Sequence, residues 1–580
     1  MTGTDNAAIA DILQQIGDLL EIKGANPFKI RAYRNAAEII GTAAEKIAEL
    51  STVDLLAIPG IGKDLASRIR EIVSTGTCGY HRELTAEFPA SLLDLVQLQG
   101  LGPKTVALLY RKLGIETVDA LEGAAREGQL RGLKGLGPKR EQLVLRAIGE
   151  RNRRVGRVRL SDAMLVATAL ITHLEAAMPY GTFIPVGSLR RGSETCGDVD
   201  VLAIGVDPGV SDHFVTFPGV QRILEQGETK TSILLRDEIQ ADLRVVPASS
   251  AGAALQYFTG SKPHNIALRD RALQRGLKLN EYGLFRLSDD ACVAGDTEAK
   301  IYQALGLPFI PPELRENRGE IAAADNGTLP RLIRHADIRG DLHSHTNATD
   351  GRAGIETMAR AARDAGLEYL AVTDHSQALA MANGLDERRA LAHARAIRDV
   401  SDRLDGITLL AGIECDIRPD GRLDLSEDCL AQLDLVIASV HSAFGQDEGL
   451  MTERILRAME SPVVDIVGHP TGRLLLRREP YNVNVEQLVE AAATHGVALE
   501  INCQVDRLDL SDVNARLARD RGVMLTIATD THAPEGFELL RWGVLVARRA
   551  WADAGAVLNT LPLDQLTTRL RRHAWRSGAA

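Results

Sequence analysis

At 580 residues, with 45% hydrophobic and 25% charged residues, the chain is too long for one core and is expected to divide into roughly three to five domains. No run of about 18 apolar residues stands out, and the start "MTGTDNAAIADILQQ" has neither a basic n-region nor an apolar h-region, which predicts a soluble, cytoplasmic protein with no membrane partner. Six cysteines, at 78, 196, 292, 415, 429 and 503, form no C-x-x-C pair, so scattered reduced thiols are expected rather than a disulfide framework or a zinc knuckle.

The net charge of −11 argues against nucleic acid until the chain is split. Residues 1–160 carry 23 Lys+Arg against 19 Asp+Glu, 161–340 carry 18 against 23, and 341–580 carry 26 against 36 together with nine of the 14 histidines. A basic front and an acidic, histidine-rich back predict two different chemistries.

Near the front, "LAIPGIGK" (56–63), "LVQLQGLGPK" (95–104) and "LRGLKGLGPK" (130–139) repeat one helix-hairpin-helix pattern. Glycines permit a tight turn whose backbone N–H groups meet a phosphate at a helix start, and the lysine adds positive charge. One such turn is simply a connection between helices. Three, each with a lysine, predict sequence-independent contacts to the DNA backbone from Gly60, Gly62, Lys63, Gly100, Gly102, Lys104, Gly135, Gly137 and Lys139.

The stretch "GSLRRGSETCGDVDVL" (187–202) follows. A strand alternates its side chains, so Asp198 and Asp200 share a face and need a counter-charge, which a divalent metal supplies. An isolated D-x-D is also a common polar strand end. The strand "EIQADLRVV" adds Asp242, completing a carboxylate set suited to two metals and in-line phosphoryl displacement, with Ser188 and Arg191 placed to bind phosphate oxygens. "YFTGSKPHNIALRDRAL" (257–273) then offers an aromatic pair for a sugar or base.

These motifs, with "NPFKIRAYRNAAEII" (26–40), closely resemble the family X DNA polymerases over about residues 1–320. The resemblance implies catalytic metal binding by Asp198, Asp200 and Asp242, and triphosphate contacts from Gly187, Ser188, Arg191 and Gly197. It implies sugar contacts from Tyr257, Phe258 and Gly260, a base contact from Asn265, and a template contact from Arg269. The expected metal there is Mg²⁺ or Mn²⁺, the substrate a deoxynucleoside triphosphate, and the polymer partner gapped or nicked double-stranded DNA. Three positions depart from the pattern. Arg68 and Asn35 stand where lyase-active relatives carry lysines, and arginine stays protonated and cannot act as an amine nucleophile. Gln240 stands where some relatives have arginine.

After a polar stretch read as a linker, short apolar runs each end in a possible ligand: "IRGDLHSHT", "LEYLAVTDHS", "ITLLAGIECDI", "LDLVIASVHS", "VDIVGHPTG", "VALEINCQV" and "VMLTIATDTHAP". Helical segments alternate with them, which predicts a parallel sheet closed into a seven-stranded barrel with its site at the strand C-termini. His343, His345, Asp350, His375, Glu414, His441, His469, Asp530 and His532 are the candidate ligands, a mixed imidazole and carboxylate set suited to Zn²⁺, Mn²⁺ or Fe²⁺. His393, His495 and His573 are left out as background. The palm carboxylates are expected to stay ionised well below pH 7. This half resembles the PHP domains over roughly 338–575, which implies up to three ions of Mn²⁺ or Zn²⁺ hydrolysing phosphoesters. In the bacterial family X enzymes that domain is associated with 3′-5′ exonuclease and abasic-endonuclease activity.

The expected fold is multidomain: helical helix-hairpin-helix N-terminal domains, an α+β nucleotidyltransferase-type palm and thumb, and a C-terminal α/β seven-stranded, TIM-like PHP barrel. The expected boundaries are 1–75 (lyase-like), 76–153 (helix-hairpin-helix, fingers-like), 154–250 (palm), 251–317 (thumb), 318–337 (linker) and 338–580 (PHP). The expected activity is DNA-directed synthesis filling short gaps in repair, combined with end trimming, with no obligatory protein partner. Two rivals are a histidinol-phosphatase-type enzyme acting on small phosphoesters and a catalytically inactive DNA-binding scaffold.

Overall fold

The computed structural model describes residues 6–42 and 47–570, apart from 59, 90, 97, 99, 100, 134, 135, 139, 146, 147, 149–156 and 237. They form two compact units, 1–155 and 156–580. Gly100, Gly135, Lys139 and His573 lie outside the described residues.

The first unit is helical. Ile9, Leu13, Ile16 and Leu20 make one buried stripe along the helix Asn6–Lys23, the period a core-facing helix needs. The described residues of the three hairpins share one hydrogen-bond pattern. The amides of Ile61, Leu101 and Leu136 donate to Ile58, Leu98 and Leu133 at 3.1, 3.0 and 3.0 Å, and the following helical turns open with Gly62, Gly102 and Gly137 as carbonyl acceptors. The apolar residue between each glycine pair is thus a buried peg. Gly62 and Gly102 are helix N-caps without a side chain, so nothing covers the helix-start N–H groups on that side. Gly60 sits at φ +95°, and a Cβ there would lie 3.1 Å from Ile39. A single apolar cluster runs from Ile9 to Ile148, straight through the expected boundary at 75/76.

In the second unit, a five-stranded mixed sheet has the spatial order Thr182–Pro185, Asp198–Ile204, Gln240–Val246, Lys230–Leu235, Val220–Gln226. The helix Leu160–Ala177 is long and apolar enough to cross a membrane, against the expectation from the sequence. Mean hydropathy carries it over that threshold although Asp162, His173 and Glu175 interrupt the run. It is a core helix here: Ala163, Ala167, Leu170 and Leu174 are buried in the cluster that holds Val199, Val201 and Leu243 of the sheet. Helices Ala251–Thr259 and Lys262–Gln274 and a three-stranded antiparallel sheet follow. Residues 318–337, read as a linker, carry the helix Glu320–Asp325 and the buried Leu332 and Ile333.

The back half is the expected barrel. Seven strands, Gly340–Asp341, Tyr369–Val372, Thr408–Asp416, Leu435–Ser439, Ile466–Val467, Ala498–Asn502 and Leu525–Ala528, run parallel in sequence order. Tyr369, Ala371, Leu435 and Ile437 fill the interior, while Leu370, Val372, Val436 and Ala438 face the surrounding helices, the alternation expected of strands. The first and last strands meet through a Ser344–Thr531 bridge at one end. Lower down, Asn559 fills the seam: its amide nitrogen donates to the carbonyls of Gly340 and Ile527, both at 2.7 Å, and its oxygen accepts from the Ile527 amide at 3.0 Å.

Two candidate metal centres

The palm centre follows from strand register. Asp200 is paired with Asp242 across parallel neighbours, and Asp198 stands two residues along on the same face. Burial, and then the Asp198 and Asp242 carboxylates, push Asp200 up to about 7, while Arg244 and Arg191 pull it down. Burial and Asp242 also raise Asp198. Three acids crowded at one edge of the sheet thus disfavour charge at Asp198 and Asp200. That is a site short of positive charge, and a divalent cation fits it. Gln240 Nε2 donates to Asp242 Oδ1 at 2.9 Å and orients it.

Gly187 opens the short helix Gly187–Arg190 at φ +65°, and a Cβ there would lie 2.6 Å from Asp200 Oδ2. The glycine is required twice over, by backbone conformation and by the close approach of the carboxylate. Ser188 is half-buried on this turn and Gly197 is exposed. Arg191 lies beside Asp200, with Nε on Glu316 Oε1 at 2.9 Å and Nη1 on the Thr259 carbonyl at 2.6 Å. Its neighbour Arg190 is turned away and pairs with buried Glu298 at 2.6 Å. Tyr257 and Phe258 are half-buried, with rings edge to face at 5.2 Å. Arg244, overlooked in the sequence, lies 5.2 Å from the Phe258 ring centre. Gly260 is buried. The Asn265 side chain accepts from Gln256 at 2.7 Å and donates to the Tyr257 carbonyl at 2.7 Å. Arg269 is exposed on the next helix.

In the barrel all nine candidate ligands converge at the strand ends. Three overlapping groups, His345/Asp350/His375/His532, His343/His345/Asp530 and His375/Glu414/His441, each bring their ligand atoms within 4.8 Å of one another. His469 joins through Nε2 on Glu414 Oε1 at 2.9 Å. Among the described residues, His343 Nε2, both His345 ring nitrogens, His375 Nδ1, Glu414 Oε2, His441 Nδ1 and His469 Nδ1 are buried with no well-aligned hydrogen bond, although several lie within ion-pair distance of one another. Orphaned imidazole and carboxylate atoms facing one another fit a cluster of cations. His469 and Asp530 hold φ of +28° and +52°, strain that tight packing around them must sustain.

Within the cluster the imidazoles and carboxylates shift one another's protonation. Burial opposes charge, yet Glu414 and Asp350 raise His375 to about 10, and Glu414 with Asp416 raises His441 to about 9. Burial, with His532 and His375 alongside, pushes His345 down to about 4. Glu414 and Asp530, against the same burial, are held well below the usual range, chiefly by His441 and His343 respectively.

Three supporting acids were missed in the sequence. Glu500 accepts from His343 Nδ1 at 2.7 Å and from the His469 amide at 2.5 Å. Asp416 lies 3.3 Å from His441 Nδ1. Asp374 accepts from the Thr346 amide at 2.9 Å and pairs with His393 at 2.7 Å. These fix the orientation of ligand side chains and ligand-bearing backbone. An acid on an otherwise apolar, fully buried strand, as in "VALEIN", was the available sign.

The thumb segment 254–316 matches the model for the DNA polymerase beta thumb, 4–78 a helix-hairpin-helix domain, 92–150 a SAM-like helix-hairpin-helix tandem, and 341–504 the PHP domain. The DNA polymerase/3′-5′ exonuclease PolX of Bacillus subtilis is 36% identical over 97% of this chain and 99% of its own length. The chain belongs to the family X DNA polymerases with a C-terminal PHP domain. DNA polymerase lambda of Rattus norvegicus is 24% identical over 54% of the chain, and a probable phosphatase of Thermoanaerobacter is 29% identical over 38% of it.

In this family X member the position of the usual lyase lysine is closed off. Arg68 pairs with Asp64 at 3.0 Å and lies over the Tyr80 ring at 4.2 Å. Asn35 and Lys63 are exposed. Lys29, unremarked in the sequence, donates to the Tyr80 hydroxyl at 2.7 Å. Borohydride trapping on a 5′-abasic end is therefore expected to be weak. Efficient trapping that survives both Lys63→Ala and Lys29→Ala would refute this, since no lysine follows Lys300.

Proposed function

We propose that the chain extends DNA 3′ ends from deoxynucleoside triphosphates at the palm and trims 3′ ends at the barrel, working on gapped or nicked duplexes in repair. The reading is carried by one observation: two separate clusters of unbalanced, inward-facing ligands stand on one chain, one beside a glycine turn shaped for phosphate. Asp198, Asp200 and Asp242 would hold Mg²⁺ or Mn²⁺. Gly187, Ser188, Gly197 and the remaining Nη2 edge of Arg191 would receive the triphosphate, Tyr257, Phe258 and Gly260 the sugar, and Arg269 the template. Asn265, which also braces Tyr257, would contact the incoming base with its remaining N–H. The nine barrel residues would hold up to three ions of Mn²⁺ or Zn²⁺. Divalent ions bound at either centre supply Lewis acidity and charge neutralisation for phosphoryl displacement. The glycine hairpins hold the duplex by its backbone, and the barrel also serves as an abasic-site endonuclease.

Protein stripped by chelator is expected to lose extension and trimming together and to melt at a lower temperature. Mn²⁺ returned at a hundred times its Kd restores about 2.7 kcal/mol of stability, and calorimetry and one labelled gapped duplex read both effects. Trimming that persists after stripping, with no change in melting, would sink the barrel assignment. The probable-phosphatase relative, which aligns with 38% of the chain, supports one other reading. A barrel that hydrolyses small phosphomonoesters but leaves DNA intact would favour it.

A further inference from the structure

The palm turn that carries Arg191 is gripped by the barrel. Arg549, the last residue of the helix Leu540–Arg549, donates from Nη1 to the Arg191 carbonyl and to Glu316 Oε1, both at 2.9 Å. Glu316 Oε1 is the same atom that accepts from Arg191 Nε. Nη2 of Arg549 pairs with Asp512 at 2.9 Å, and Asp512 also takes Arg318 at 2.9 Å. A Cβ on Gly192 would lie 3.4 Å from Leu545 of the same helix, and Glu194 pairs with Arg473 at 2.7 Å. Arg473 stands four residues beyond the barrel ligand His469. The side chains of Arg549, Asp512, Arg191 and Glu316 are 8, 14, 14 and 17% exposed, so the pairs are shielded from solvent and are worth more than surface ion pairs. Burial opposes its charge, but Arg191 and Arg549 hold the Glu316 carboxyl below its usual range.

Arg549 therefore touches both the main chain and the side-chain partner of Arg191. We infer that Arg549 is a positioning residue for nucleotide addition: through Glu316 and the Arg191 carbonyl, the barrel aims the free edge of Arg191 at the incoming triphosphate. The inference rests on the reading of Arg191 as a triphosphate contact. It makes nucleotide affinity at the palm depend on the integrity of a helix of the nuclease domain. Without Arg549, Glu316 keeps only Arg191 as an ion-pair partner among the described residues, and the Arg191 carbonyl loses its bond from the barrel.

The test is single-nucleotide addition on a gapped duplex by the full-length chain, with KM and kcat measured separately and 3′ trimming as a control. Arg549→Gln should raise KM for the nucleotide about tenfold, the scale of one lost hydrogen bond to a charged group, with a smaller change in kcat and with trimming retained. Glu316→Gln should act alike, the double variant should be no worse than the poorer single, and Arg549→Lys should recover part of the loss. A lower melting temperature with unchanged KM would mark Arg549 as merely structural and overturn the inference, provided Arg191→Gln does raise KM. If Arg191→Gln leaves KM unchanged as well, the triphosphate reading of Arg191 falls and the inference with it. Should Arg549→Gln fail to fold, Asp512→Asn, which frees only one edge of Arg549, is expected to raise KM in the same direction by less, and an unchanged KM there would overturn the inference too.

Discussion

Replacing Asp200 with alanine is expected to lower nucleotide addition by about three orders of magnitude, roughly 4 kcal/mol of barrier, while 3′ trimming stays close to normal. Asp200 is the middle acid of the three: it is in register with Asp242, shares its face with Asp198, and has the Gly187 turn against its Oδ2. Without it the remaining two carboxylates cannot bracket a pair of ions, and the phosphate turn loses the group it is shaped around. The fold should tolerate the change, because Asp200 is a half-buried acid crowded by two other carboxylates rather than part of the apolar core. Primer extension and trimming on one gapped duplex, with a melting curve for each variant, separate these effects. Equal loss of both activities in a folded variant would contradict two independent centres.

Glu414→Gln should produce the mirror image, with trimming reduced by a comparable factor and extension retained. Glu414 is the hub of the barrel cluster. Its oxygens lie 2.9 Å from His375, 2.9 Å from His469, 3.3 Å from His441 and 3.4 Å from His343. Glutamine keeps the shape and removes the charge, leaving buried imidazoles without the anion that opposes their charge and ions without their central ligand. His343→Ala removes a single ligand and leaves Glu500 its bond from the His469 amide, so it should cost less in metal affinity than Glu414→Gln. Metal titration by calorimetry orders the two variants, and the reverse order would show that Glu414 is not the hub.

The barrel was legible because every ligand but Asp350 stands at the end of an apolar run, and a strand that stops at a polar residue announces which end carries the site. All nine residues come together as expected. Glu500 escaped because its strand reads as continuous core, and an acid there looks like a misfit until its two partners are seen. The palm acids were legible from the D-x-D alternation, but the register that sets Asp200 opposite Asp242 was not, since pairing between strands leaves no mark on either one. Asn265 illustrates the limit of motif reading: its place in "SKPHN" marks it for a base, but the motif does not show that its amide also holds Gln256 and Tyr257. The link from Arg549 to Glu316 spans 233 residues, and an ion pair between two ordinary polar positions carries no periodicity that could betray it.

The seam held by Asn559 gives the chain an order of assembly. Every barrel ligand lies between His343 and His532, yet the amide that bridges the first and last strands arrives later in synthesis than all of them. Domains fold as they emerge, the N-terminal ones first, but the palm turn takes Arg549 and the thumb core takes Trp551 from the end of the barrel, so neither half is finished until the stretch from 549 to 559 has been made. A newly made molecule therefore gains the capacity to write and the capacity to erase together, when one short stretch near the end of the chain completes both halves.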